Sequence, residues 1–152
     1  MKKVLVAVDG SENSKKVAKE AANIAKCMLS EVTVIHIHDD SHKVPINQFE
    51  AISSLSDDLL KRIKVEHNEK INESTDEIVN EAAKEFEEKG ITPQKVVLKG
   101  DPANTICDYA EENGFDMIIV SDTGDRRVEK FLLGGTSEKI VRHAKTSVLV
   151  IR

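Results

Sequence analysis

Five short aliphatic runs punctuate this chain: Val4 to Val8, Val32 to His38, Lys95 to Leu98, Phe115 to Val120 and Ser147 to Ile151. Most are near-continuous in Val, Ile and Leu rather than alternating with polar residues. Strands of that kind are covered on both faces, as in a parallel sheet whose crossover helices lie above and below it. The intervening segments carry helix signals. Ser11 to Ser14 offers capping side chains ahead of a stretch in which Val17, Ala21, Ile24, Ala25 and Met28 share one face at helical spacing. Asp101-Pro102 supplies a cap and a first-turn proline before Ile106, Tyr109 and Ala110, and Gly114 stops that helix. Thr136 or Ser137 is expected to start the last helix, with Ile140, Val141 and Ala144 facing inward. The alternation predicts an α/β fold: a single doubly wound domain, residues 1–152, built on a five-stranded parallel sheet with right-handed crossovers.

A chain of 152 residues can bury a full core without cross-links, and nothing in it calls for a second domain. The stretch 39–93 is longer than a crossover requires. Its latter part, roughly Leu59 to Lys89, places Ile63, Ile71, Ile78, Ala82 and Phe86 among many Glu and Lys as an amphipathic helix. Its opening, to about Ser56, holds Ser41, Ser53 and Ser54 with Pro45 and Asn47, and reads as a loop or a short helix. Charged residues make up 32% of the chain and the net charge is -5, which argues against a general nucleic-acid binder. Cys27 and Cys107 have no metal-type spacing and are expected as reduced, buried small hydrophobes in a cytoplasmic protein. Met1-Lys2-Lys3 runs straight into the first strand and no apolar run approaches membrane-spanning length, so neither a leader nor a membrane partner is expected.

Ligands of open α/β sheets sit beyond the carboxyl ends of the strands, where the strand order reverses. Three such ends carry suggestive residues: Asp9-Gly10-Ser11, Ile37 to Asp39, and Ser121 to Gly124. The fourth run empties through Gly124 into Gly134-Gly135 and then Thr136-Ser137. That order groups backbone N–H donors, short hydroxyls and a helix N-terminus, the set an anionic phosphate requires. Taken alone, these glycines also read as plain turn geometry, and Asp9 as a turn or cap carboxylate.

The stretch Met117 to Arg152 resembles the C-terminal signature of the universal stress protein family, G-x2-G-x9-G-[S/T]. KKVLVAVDGSENS is similar to that family's opening strand and Asp-bearing turn, VTVIHIHD to its second strand, and VLKGDPANTICDYAEENGFDMIIVSDTG to its Gly-x-Pro helix and fourth strand. The resemblance runs over almost the whole chain, residues 39–93 being its least characteristic part. It implies the adenine nucleotide alpha hydrolase-like fold and a stress-response role. The implied ligand is ATP or another adenine nucleotide, bound with little or no turnover, with Mg2+ carried in by the phosphates. It also implies a homodimer through the C-terminal strand and a regulatory protein partner that the sequence does not identify.

By the same resemblance, Gly124 matches the second glycine of the signature and Gly134 the third, while Ser121 stands at the first and Gly135 where Ser or Thr is usual. Ser121 adds a Cβ and resists a positive φ, so restoring glycine there is expected to tighten binding. Gly135 lacks a hydroxyl worth about 1 kcal/mol, which Thr136 or Ser137 would supply. Asp9 would face the adenosine, and Ala7, Ile37 and Val120 would line the base pocket.

Other constellations are sparser. His36 and His38 face one side of their strand and are read as a buried or hydrogen-bonded pair rather than a metal site. No G-x4-G-K-[S/T] or G-x-S-x-G motif is present, and Arg126, Arg127 and Lys130 are the candidate cations for any phosphoryl transfer. The last strand ends the chain as an apolar sheet edge, which invites pairing with a second copy. Two rivals stand beside the nucleotide reading. One is a stress-related interaction protein without nucleotide, motivated by Ser121 and Gly135. The other is a flavin-binding or nucleotidyl-transfer enzyme of the wider adenine-binding class.

Overall fold

The computed structural model describes residues 2–39, 57–122 and 134–152. Their elements follow in the order β1 (Lys3–Ala7), α1 (Glu12–Met28), β2 (Glu31–His38), α2 (Asp57–Glu87), β3 (Gln94–Lys99), α3 (Pro102–Glu112), β4 (Met117–Ser121), α4 (Gly135–His143) and β5 (Ser147–Ile151). The strands form one parallel sheet in the order β3-β2-β1-β4-β5. The expected α/β architecture is therefore present, with strand ends within two residues of those read from the aliphatic runs.

Side-chain alternation along each strand divides the core between two faces. Val4, Val6, Val32, Val34 and Ile119 meet α1 and α2 on one side, and Leu5, Ile35, Ile37, Ile118 and Val120 meet α3 and α4 on the other. Continuous aliphatic runs are what both faces demand. Helix α1 presents Val17, Ala18, Ala21, Ala22 and Ala25 to the sheet, small residues that let its backbone approach closely. Ser11 caps it, accepting the Ser14 N–H at 3.2 Å. The Asp101 carboxylate caps α3 in the same way, through the Asn104 N–H at 3.0 Å, with Pro102 in the first turn.

Four expectations need correction. Val141 on α4 is exposed rather than facing inward, and Ile140 alone of that helix's large apolar residues is buried. Helix α4 begins at Gly135 with Gly134 as its cap residue, ahead of Thr136 and Ser137. Ile63 is not on a core face: it is exposed, as are Leu59 and Val65, whereas Thr75, Val79, Ala82 and Phe86 further along α2 are buried. The cause is length. A helix of 31 residues spans about 46 Å, while the eight-residue strand β2 spans about 26 Å, so the amino half of α2 overhangs the sheet. Cys27 is exposed rather than buried, and only Cys107 packs against the core. The Ser- and Pro-bearing opening of the 39–93 stretch lies outside the described residues beyond Asp39.

Candidate functional site

The strand order reverses between β1 and β4: β1 continues to β2 on one side of the sheet's centre, and β4 continues to β5 on the other. Crossovers leaving these two strands go to opposite faces, so the loops at their carboxyl ends part and leave a crevice. The residues that flank it come from the exits of β1 and β4 and from the start of α4.

At the exit of β1 the backbone is held from three directions. The Val8 N–H donates to the Ile35 carbonyl at 3.0 Å, and the Val8 carbonyl lies 2.8 Å from Nδ1 of buried His36. A carbonyl only accepts, so Nδ1 carries the proton in this bond. His36 thus has the hydrogen-bonded role read for it. Asp9, which is exposed, accepts the Ser11 N–H at 2.9 Å through Oδ1 and closes the turn into α1. Between them Gly10 has φ +81, and a Cβ there would stand 2.9 Å from Cγ1 of Ile78 on α2. Glycine is required twice over, by the left-handed backbone and by the close approach of Ile78.

The residues expected to line a base pocket share one face. Ile37 and Val120 are buried and Ala7 is half-buried, all packed in the cluster that lies under α3 and α4. Neighbouring strands bring them together: Ala7 is in register with Ile35, and Val6 with Ile119.

Ser121 is the last residue of β4, in register with Ile151, and Leu29 is the one non-glycine residue with positive φ among those described. Ser121 is therefore extended, and its position makes no demand for glycine backbone. The concern about φ at this site is removed. Beyond it, the Asp122 N–H donates to the Ile151 carbonyl at 3.0 Å, and the Gly134 N–H donates to the Asp122 carbonyl at 2.6 Å. The Ser137 hydroxyl donates to the Ser121 carbonyl at 2.6 Å. These bonds set the amino end of α4 against the exit of β4.

Among the described residues no side chain caps the start of helix α4. The opening N–H groups of any helix lack intrahelical acceptors and carry its positive pole, so this turn can receive an anion. Gly135 and Thr136 are exposed there, and among the described residues nothing lies within 4 Å of a Cβ added at Gly135. Ser137, by contrast, is buried. Glu138 adds an acid to the same turn, but Arg142 answers it at 2.9 Å. Gly124, Arg126, Arg127 and Lys130 lie outside the described residues.

A hollow of about 630 Å³ opens at the other pole, beside Lys3, Leu29, Glu31, Gly90 and Ile91. Helices α1 and α2 both end near it, so it lies at the opposite end of the sheet from the carboxyl ends of the strands. Among the described residues no group of three or more His, Cys, Asp or Glu side chains could hold a metal ion. None of their helices is long and apolar enough to cross a membrane.

The sequence reading missed three supports of this site: the His36 bond to Val8, the Ile78 buttress behind Gly10, and the Ser137 bond to Ser121. Only the last left a local trace, a small hydroxyl residue inside the first turn of a helix.

Known proteins share this fold. The chain is 34% identical over 154 residues to a universal stress protein of Methanocaldococcus jannaschii, covering 99% of this chain and 82% of that one. It has the fold of a universal stress protein solved in complex with cAMP, with a TM-score of 0.66 at 20% identity, covering 99% of this chain and 96% of that one. A universal stress protein from Archaeoglobus fulgidus in complex with dAMP gives a TM-score of 0.61 at 18% identity, covering 100% of this chain and 98% of that one. The profile of the universal stress protein family matches residues 1–152, end to end. This chain belongs to the universal stress protein family.

Proposed function

We propose that this protein binds ATP or another adenine nucleotide as a regulatory ligand, with little or no turnover, in the crevice between β1 and β4. One observation carries the reading: the uncapped first turn of α4 is fixed at the sheet's switch point by short hydrogen bonds to Ser121 and Asp122. Phosphates would lie on the amides of Gly135 and Thr136, the Gly134 N–H being spent on the Asp122 carbonyl, and the adenosine would reach Asp9, with the base near Ala7, Ile37 and Val120. The cAMP and dAMP complexes of proteins sharing this fold support the same class of ligand. Mg2+ would enter with a triphosphate, keeping most of its waters. No residue is assigned as a general base, and little or no turnover is expected with it.

The active form is read as a cytoplasmic homodimer joined through β5, which passes the liganded state to a protein partner. Val148, Leu149, Val150 and Ile151 of this edge strand are only half-buried, and an apolar edge offers unpaired backbone groups to a second copy. Calorimetric titration with ATP, ADP and AMP, beside light scattering of the free protein, tests both parts. Saturable binding to a particle of twice the chain mass is expected. The absence of heat with all three nucleotides would favour a nucleotide-free interaction protein, the reading that Gly135 in place of Ser or Thr motivates.

A further inference from the structure

Ser137 is one of the residues a nucleotide would be expected to touch, yet its hydroxyl is committed elsewhere. It sits three residues into α4 from the cap Gly134, is buried with 7% exposure, and donates to the Ser121 carbonyl at 2.6 Å. A hydroxyl has one hydrogen to donate, so this one is not available to a phosphate oxygen. The bond lies beside the 2.6 Å bond from the Gly134 N–H to the Asp122 carbonyl. Two adjacent bonds of this kind fix the direction as well as the distance of a helix start.

We propose that Ser137 is a positioning residue of the nucleotide site: its hydroxyl clamps the first turn of α4 to the end of β4 and so pre-sets the phosphate-binding amides. The inference rests on the nucleotide reading given above. The local sequence makes the clamp necessary. Gly134 and Gly135 are flexible residues at a helix start that has no side-chain cap, and such a turn frays unless it is tied down. Donors held in place before the ligand arrives avoid an ordering cost on binding. The clamp serves the amides, so its worth falls on the phosphates and not on the adenosine.

The experiment compares the wild-type chain with Ser137→Ala, by titration with ATP and adenosine and by amide hydrogen exchange without ligand. Expected are a fall in ATP affinity of about five- to tenfold, as one hydrogen bond implies, and adenosine binding unchanged within twofold. Faster exchange at residues 135–138 of the ligand-free variant is expected with it. Unchanged ATP affinity, or equal loss for ATP and adenosine, overturns the proposal. An ATP-specific loss with unaltered exchange marks Ser137 as a direct contact and overturns it too. Failure of the wild-type chain to bind either ligand refutes the nucleotide reading itself, and the positioning role with it. Wild-type binding beside an unaffected variant refutes the clamp alone.

Discussion

Nδ1 of His36 on β2 lies 2.8 Å from the carbonyl oxygen of Val8, the residue that leads out of β1 toward Asp9. Val8 is 5% exposed, so no other donor replaces the imidazole at small cost. His36→Leu is expected to destabilise the fold by about 1–3 kcal/mol, the range for a buried acceptor left unpaired. Thermal unfolding of the variant checks this. A midpoint equal to wild type would mean that the bond is not needed to hold the exit of β1.

Gly10 meets two constraints that can be separated. Gly10→Ala brings a Cβ to 2.9 Å from Ile78 Cγ1 on a backbone with φ +81. A loss of at least about 1 kcal/mol is expected, from the left-handed backbone and the overlap together. In Ile78→Ala the overlap is gone, so Gly10→Ala should cost less in that background by a measurable coupling energy in denaturant titrations. Strict additivity would show that φ alone governs the position.

Gly135→Ser tests the departure from the family signature directly. The new side chain meets none of the described residues within 4 Å of its Cβ and leaves the N–H in place. It is expected to tighten ATP binding several-fold, about 1 kcal/mol for one added hydrogen bond, with no loss of thermal stability. Weaker binding in titration would mean that the exposed turn needs glycine for close approach of the ligand.

Ser121→Gly was expected from the sequence to tighten binding, but the extended conformation of Ser121 removes the backbone part of that argument. ATP affinity within twofold of wild type is now the expected result. A large gain would mean that the Cβ itself obstructs the ligand.

The two thiols should differ in reactivity. Burial, with a smaller contribution from the Asp108 charge, raises the pKa of Cys107, whereas Cys27 is exposed. The thiolate is the reactive form, and raising a thiol's pKa leaves less of it at neutral pH. Alkylation followed by peptide mass mapping should label Cys27 first, and Cys107 should gain rate as pH rises toward its elevated pKa. Equal labelling at neutral pH would contradict the burial of Cys107.

Much of the fold was legible because local chemistry and global packing agree. The runs at Val4, Val32 and Ile118 are continuous in aliphatics because both faces of the central strands are covered. Ser11 and Asp101 foretold their helix starts because a capping carboxylate or hydroxyl acts within a few residues. Periodicity failed at Ile63, where it reports a helical face but not how far the sheet beneath extends, whereas Cys27 was expected inside from its residue type alone and lies off the buried face of α1. The start of α4 was read late because Gly134 is a cap without a capping side chain.

What the sequence by itself determined is therefore the set of strands, the helices between them and the family, all of which depend on short-range pattern. The tertiary structure decided the rest: the order β3-β2-β1-β4-β5, the switch between β1 and β4, and the partners that His36, Ile78 and Ser137 meet. The physical reason is separation along the chain. His36 and Val8 are 28 residues apart, and Ser137 and Ser121 are 16 apart. A hydrogen bond between such residues depends on where two strands and a helix come to rest, which no local preference specifies.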